Sequence, residues 1–343
     1  MKAVVLAGPG DLRIREVPDP RISAASDAIV RVTTTAICGA DLFPFHGHVP
    51  GFENDTILGH EFVGIVEEIG SGVTGVAPGD RVVSTSTVSC GRCGQCRAGR
   101  PSQCAERALF GYSGVYRQLH GGQAELVRVP GADRCLRVLP AGVADEAAVF
   151  VADMLPTGYS AVRRADLTLG DVVVVVGCGT VGLMAILFAR RLARVVIAVD
   201  GIPKRRALAA GFGAQAVAPD AARDAIDAVT DGLGADGVIE AAGTPGALTA
   251  AITMARGRGT ISVVGAHFEP DYPLDNGRMF ERELTLRVTW GDAFNDRERI
   301  LGLMEAGDLD PTPAITHRFA LADAAEAYRV FDARDAVKVL LTP

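Results

Sequence analysis

The sequence predicts an α/β protein in two parts, a small β-barrel and a doubly wound parallel sheet. Three observations predict it. β-branched runs separated by turns fill the first 150 residues or so, strands alternate with apolar helices from about residue 154, and a glycine-rich turn joins a five-valine strand to a helix. Short strands between turns favour a barrel, whereas alternation of strand and helix favours a parallel sheet covered on both faces. At 343 residues the chain exceeds one ordinary domain, and 48% apolar residues suffice for two cores.

Ala28–Thr34, Phe62–Ile69 and Arg81–Ser84 read as strands, with Pro78-Gly79-Asp80 turning the chain between the last two. Further on, Val172–Val176 is an all-apolar strand, Val181–Leu192 an apolar helix and Val195–Val199 the next strand. Ala214–Val217, Gly237–Glu240 and Thr260–Val264 continue the series. After Trp290 come a helix near Asp296–Glu305, an amphipathic one near Ala322–Phe331 and a closing strand, Ala336–Leu341. This tail is expected to return to the first part. Residues 1–153 and 290–343 would then form one domain, with residues 154–289 inserted as the other.

A formal net charge of −7 argues against nucleic acid or an anionic membrane as a partner. Met1–Pro20 lacks the basic and apolar regions of an export signal, and Val172–Val176 is too short to span a bilayer. Seven cysteines, four of them clustered, fit a reducing compartment. A cytoplasmic protein is expected.

The cluster is Cys90-x-x-Cys93-x-x-Cys96, followed after seven residues by Cys104. Four thiolates this close can share one tetrahedral Zn²⁺, and a closed Cys₄ shell leaves no open position for substrate, so the site is structural. The lobe, about residues 89–105, carries turn-forming glycines with Arg92, Arg97 and Arg100 to offset thiolate charge. Two disulfides are the alternative, but the x-x spacings make poor disulfide partners.

Gly177-Cys178-Gly179-Thr180-Val181-Gly182 is a Gly-x-Gly-x-x-Gly that follows a strand and opens a helix, with Asp200 closing the next strand. Gly177 makes the tight turn, Gly179 admits a pyrophosphate to the backbone, and Gly182 lets helix and strand pack closely. The amides at the helix start, Thr180 and Val181 among them, offer donors to phosphate. Asp200 can accept from both ribose hydroxyls of NAD and would repel a 2′-phosphate. Lys204, Arg205 and Arg206 lie within reach of one, although Arg205 could equally serve the adenosine portion. NAD is preferred over NADP. Cys178 reads as packing.

Cys38-Gly39-Ala40-Asp41-Leu42 and Gly59-His60-Glu61 add one thiolate and one imidazole. Together with Gly64, Gly79-Asp80-Arg81-Val82, the four-cysteine lobe, the nucleotide loop and Val337-Lys338-Val339, they span essentially the whole chain. This pattern resembles the zinc-containing alcohol dehydrogenases of the medium-chain dehydrogenase/reductase superfamily. The resemblance implies a GroES-like β-barrel catalytic domain joined to a Rossmann doubly wound sheet, two Zn²⁺ per chain and a nicotinamide cofactor. It matches Cys38 and His60 to catalytic zinc ligands and puts the third just before Thr157-Gly158-Tyr159, where Asp153 is the candidate. Glu61 matches an acid that exchanges onto the metal, and Asp41 one that orients His60. Thr157 and Val181 match positions pressing on the nicotinamide, Lys338 one reaching the pyrophosphate, and Gly265 joins the cofactor-binding set. Zinc would polarise a carbonyl, or stabilise an alkoxide, while hydride passes between nicotinamide and substrate carbon. A homodimer or homotetramer acting on a small molecule is implied.

Two positions depart from that pattern. Alcohol-oxidising members usually carry Ser or Thr two residues after the first ligand and often His three further on, and here these are Ala40 and Phe43. Proton exit is then rerouted through water or another side chain, with Glu61, His46, His48 and Tyr112 as substitutes, or the enzyme reduces a conjugated C=C or C=N bond instead. A non-catalytic nucleotide-binding relative is the reading from another class, and the retained metal residues weigh against it. The aromatic segment Phe43–Phe52, with Phe110, Tyr112, Tyr116 and Trp290, would suit a cyclic or hydrophobic substrate. Core packing is the alternative for each of these rings.

Overall fold

The computed structural model describes residues 1–267 and 271–343. They divide into two units, Met1–Asp153 with Asp292–Pro343, and Met154–Gly291. The second boundary lies two residues beyond the expected one. Thr289 still donates to the Val263 carbonyl at 2.9 Å, which extends the strand ladder of the inserted unit. Gly291 packs so closely on Thr157 that a Cβ there would stand 2.2 Å from the Thr157 hydroxyl.

In the first unit the main sheet runs Leu136–Val138, Arg81–Ser84, Phe62–Ile69, Ala28–Ile37, Lys338–Thr342 and Ile315–Ala320, with Leu126–Val129 also paired to Ala28–Ile37. Alternate apolar residues of the first four of these strands and of Leu126–Val129, with Phe110 and Leu119, form one core cluster, and Val339 and Leu341 of the closing strand pack with Ile37 in a second. The closing strand does return to the first part. It pairs antiparallel with Ala28–Ile37 in the register Val339↔Ile37, which brings Lys338 beside Cys38 in the sheet. Ala28–Ile37 also runs antiparallel to Phe62–Ile69 with Thr35↔Phe62, so Cys38 and His60-Glu61 leave neighbouring strands at the same end. That register assembles the metal candidates.

The inserted unit is a six-stranded sheet, all parallel, in the order Gln215–Val217, Val195–Val199, Val172–Val176, Ala235–Glu240, Ala255–Val263, Thr285–Val288. Strand order reverses between Val172–Val176 and Ala235–Glu240, the switch point where such sheets bind nucleotides. The five valines are buried on both faces, which accounts for a continuous apolar run instead of an alternating one. No helix among the described residues is long and apolar enough to cross a membrane.

Candidate metal centres and nucleotide loop

Strand Ala28–Ile37 gives way at Cys38 to a 3₁₀ turn, Gly39–Asp41. The Asp41 carboxylate reaches back and accepts from the Cys38 amide at 2.9 Å. Gly59 enters the second segment with φ +96°, and a Cβ there would lie 2.4 Å from Gln123 Cγ. Only glycine suits that left-handed turn beneath His60. Asp153 follows the short helix Val149–Ala152.

Cys38, His60, Glu61 and Asp153 each bring one ligand atom to a cluster whose members all lie within 4.8 Å of one another. His60 Nε2 stands 3.3 Å from Asp153 Oδ2, and on the other side of the ring Nδ1 stands 3.2 Å from Asp41 Oδ1. His60, Glu61 and Asp41 are almost wholly shielded from solvent. Burial opposes charge on His60, yet the Asp41 carboxylate and Cys38 thiolate overcome it and hold its pKa well above the ordinary value. Burial pushes the Cys38 thiol up, against the pull of His60. It also raises Glu61, which the Lys338 ammonium opposes.

The donor set fits a zinc ion. Glu61 Oε1 is buried without a hydrogen-bond partner, an expensive arrangement unless a cation takes that lone pair. One sulfur, one imidazole nitrogen and carboxylate oxygens are zinc donors, and Nδ1 facing Asp41 leaves Nε2 for the metal.

Lys338 corrects an expectation. It was expected to reach the cofactor pyrophosphate, but its side chain is fully buried, donating to Glu61 Oε2 and to the Ile37 carbonyl. The strand register that puts it beside Cys38 accounts for this, and its ammonium is taken up by the Glu61 carboxylate.

The aromatic expectation also divides. Val49, Leu109 and Tyr112 pack with Phe43, Phe52 and Tyr116. Phe110 instead lies wholly in the core, edge-on to Phe62 at 5.1 Å, and Trp290 belongs to the inserted unit. Three of the proposed proton substitutes are engaged elsewhere. The Tyr112 hydroxyl donates to the Ala40 carbonyl, His46 Nε2 lies 2.9 Å from Asp332, and Glu61 holds Lys338.

In the lobe, Sγ of Cys104 lies 3.5 Å from that of Cys90 and 3.9 Å from that of Cys93, and all four thiols are free. A disulfide needs about 2.05 Å, so the alternative pairing is absent. Four thiolates about 2.3 Å from one zinc stand about 3.8 Å apart, which matches. Amides of Cys96 and Ala105 pull the Cys93 thiol down to about 6, and burial pushes Cys104 up to about 12.

In the inserted unit Gly177 has φ +95°, and a Cβ on Gly182 would stand 1.9 Å from the Gly177 carbonyl oxygen. A Cβ on Gly179 would meet nothing within 4 Å, so the loop is open where a pyrophosphate would approach the start of helix Thr180–Ala189. Asp200 accepts from the amides of Cys178 and Ile202, both at 2.8 Å, which fixes its carboxylate beside the loop. Arg206 donates to the Asp200 and Gly201 carbonyls, whereas Arg205 Nε is buried without a hydrogen-bond partner. Gly265 packs against Gly243 and the Glu240 carboxylate, so its missing Cβ serves the turn there. Thr157 sits at the start of helix Met154–Arg164, and Cys178 is fully buried, as packing requires.

A sheet of this topology with a phosphate loop, and a second unit with two zinc-type donor clusters, defines a zinc-dependent dehydrogenase. Family models agree: residues 24–140 match the alcohol dehydrogenase GroES-like domain, and residues 180–306 match the zinc-binding dehydrogenase domain. The chain belongs to the zinc-containing alcohol dehydrogenases of the medium-chain dehydrogenase/reductase superfamily. It is 37% identical to "Probable zinc-binding alcohol dehydrogenase Rv1895" of Mycobacterium tuberculosis, over 97% of this chain and 86% of that protein. Alcohol dehydrogenase TADH from Thermus sp. ATN1 superimposes with a TM-score of 0.95 at 36% identity, covering 100% of this chain and 99% of that one. Two further solved relatives carry cofactors. A zinc-binding dehydrogenase of Sinorhizobium meliloti 1021 (31% identical, TM-score 0.87, 100% and 99% covered) is bound to NADP. The alcohol dehydrogenase rspB of E. coli CFT073 (28% identical, TM-score 0.89, 100% and 99% covered) is complexed with NADH. The protein is a zinc-dependent oxidoreductase that uses a nicotinamide cofactor. Its relatives do not favour the C=C or C=N reductase, nor the non-catalytic relative.

Proposed function

We propose that the protein is an NAD-dependent alcohol dehydrogenase interconverting a hydrophobic or cyclic alcohol and its carbonyl, with one catalytic and one structural zinc. The observation that carries this reading is the buried cluster of Cys38, His60, Glu61 and Asp153, with Glu61 Oε1 left without a partner. Cys38, His60 and Asp153 would hold the catalytic ion, with Glu61 exchanging onto it, and Cys90, Cys93, Cys96 and Cys104 would hold the structural one. Zinc, when bound, supplies a Lewis acid for the substrate oxygen.

The chain's own residues do the rest. The Asp41 carboxylate faces His60 Nδ1 at 3.2 Å and so leaves Nε2 to the metal, and Lys338 sets the charge of Glu61 from behind. Gly177, Gly179 and Gly182 with the amides of Thr180 and Val181 cradle the pyrophosphate. Asp200 takes the ribose hydroxyls and disfavours a 2′-phosphate, while Arg205, Thr157 and Gly265 complete the cofactor site. Phe43, Phe52, Tyr112 and Tyr116 favour an apolar substrate. We assign the protein to the cytoplasm as a homo-oligomer, and the edge strand Thr285–Val288, with Val288 74% exposed, supports a partner copy.

Metal analysis together with a substrate panel run against NADH and NADPH tests the reading. Two zinc per chain and a preference for NADH with secondary alcohol–ketone pairs are expected. One zinc per chain, or no turnover of any carbonyl, would overturn it.

A further inference from the structure

Behind His60 a chain of buried polar groups leads away from the metal cluster to the C-terminal helix Ala324–Asp332. The Tyr328 hydroxyl donates to Gln123 Oε1 at 2.9 Å. Gln123 Nε2 donates to the Ala36 carbonyl at 3.1 Å and towards Asp41 Oδ2 at 3.4 Å. Asp41 in turn faces His60 Nδ1 at 3.2 Å. Tyr328, Gln123, Asp41 and His60 are each no more than 1% exposed.

We infer that Tyr328 and Gln123 are positioning residues for the catalytic metal, holding Asp41 in the orientation that aims His60 Nε2 at the ion. This rests on the metal site proposed above. A buried carboxylate carries about four lone-pair sites that need donors. Among the described residues Asp41 Oδ2 accepts from the Cys38 amide and from Gln123 Nε2, while Oδ1 faces the imidazole 3.2 Å away and completes no hydrogen bond. A primary amide has one donating end and one accepting end, and which end faces Asp41 decides whether the contact attracts or repels. The Ala36 carbonyl and Asp41 both accept, so they require the nitrogen. The Tyr328 hydroxyl then satisfies the oxygen on the far side. Removing that hydroxyl leaves a buried acceptor unpaired and frees the amide to turn. An unsupported Asp41 holds the imidazole less firmly, and partners of ligating histidines govern how tightly a metal is retained.

The fold reserves space for this arrangement. Gly59 lies where any Cβ would collide with Gln123 Cγ, so the residue before the ligand yields room to the amide that supports it. Phe45 meets the Tyr328 ring with centroids 5.9 Å apart, and the ring packs in a core cluster with Ile37 and Val339. Tyr328→Phe therefore removes the hydroxyl and keeps the packing.

The test is zinc release from the holoenzyme into a chromogenic chelator, for the parent, Tyr328→Phe, Gln123→Met and each combined with Asp41→Asn. Two release phases are expected from the parent, and a total of one zinc per chain, counted after denaturation, would mean that the catalytic site itself is misassigned. Given two phases, Tyr328→Phe should speed one of them several-fold and Gln123→Met about tenfold, within the range of about 10–100-fold known for groups behind metal ligands. The Cys₄ phase should not change. In the Asp41→Asn background neither change should add further, because the carboxylate through which both act is already gone. Equal acceleration of both phases would indicate general loosening and overturn the inference. Unchanged release, or full additivity with Asp41→Asn, would overturn it as well.

Discussion

The Lys338 ammonium lies against the Glu61 carboxylate, and solvent reaches neither side chain. Besides Glu61, the ammonium contacts the Ile37 carbonyl at 3.3 Å and sits 5.7 Å from the centre of the Phe150 ring. Lys338→Met keeps most of the volume and leaves a buried carboxylate without its cation. Breaking one side of a buried pair costs about 3–5 kcal/mol, and denaturant unfolding should show a loss of that order. The double variant Glu61→Gln, Lys338→Met should recover much of it, because no charge is then stranded. A double variant as unstable as the single one would show that Lys338 acts through packing alone.

The two glycines of the nucleotide loop should separate fold from binding. A Cβ at position 182 would stand 1.9 Å from a backbone oxygen that cannot retreat without moving strand Val172–Val176. Gly182→Ala should therefore destabilise the protein by about 1–3 kcal/mol, as overpacking does. A Cβ at position 179 meets no protein atom, and the backbone there is ordinary at φ −72°. Gly179→Ala should leave the melting temperature unchanged while weakening NAD about tenfold, or about 1.4 kcal/mol, read by fluorescence titration of NADH. Normal NADH affinity in Gly179→Ala would place the pyrophosphate elsewhere.

The four-cysteine lobe and the nucleotide loop were legible in the sequence because their residues are short-range, whereas Cys38, His60 and Asp153 lie far apart along the chain and only the family resemblance brought them together. Cys90, Cys93, Cys96 and Cys104 lie within one lobe, and Gly177–Gly182 sits between a strand and a helix that announce themselves. Lys338 was not legible. Its place depends on a pairing between residues some 300 positions apart, Val339↔Ile37, and no local pattern encodes that register. Tyr328 lies on the apolar face of an amphipathic helix and reads as core, which it also is. Gln123 follows two glycines ahead of strand Leu126–Val129 and gives no periodic signal. Phe110 shows the same limit, since composition marks an aromatic ring without saying which surface it meets.

Ala40 tests the proton route. The usual hydroxyl is missing there, and Tyr112, which could have substituted, spends its hydroxyl on the Ala40 carbonyl. Ala40→Ser restores a hydroxyl two residues after Cys38 without disturbing that backbone contact. Acid–base groups typically contribute about 10²–10⁴-fold, so alcohol oxidation should rise by about tenfold or more, measured as kcat at saturating NAD. Unchanged turnover with zinc content intact would show that proton exit does not limit the parent enzyme.

His120 should give the protein a specific acid sensitivity. Its Nδ1 accepts from the Ile57 amide at 3.2 Å, next to the pairing of Thr56–Ile57 with Lys2–Gly8. Burial first, then the charge of Arg128, lowers its pKa below the ordinary value, against a smaller opposing pull from Glu53. The folded protein therefore disfavours the charged ring, and the unfolded chain takes up the proton more readily. Stability from this group is complete above about pH 6.5, the ordinary histidine value, and is lost as pH falls through the lower folded value. Once protonated, Nδ1 becomes a donor facing a donor, and the Ile57 amide loses its acceptor. Glutamine offers an acceptor with no proton to gain, so His120→Gln should show a shallower decline in unfolding midpoint between pH 7 and pH 5 than the parent. Groups titrating elsewhere are common to both proteins and cancel in that comparison. Parallel declines would mean that the imidazole stays neutral across the range or that its bond to Ile57 contributes nothing. A steeper decline in the variant would reverse the sign of the shift itself.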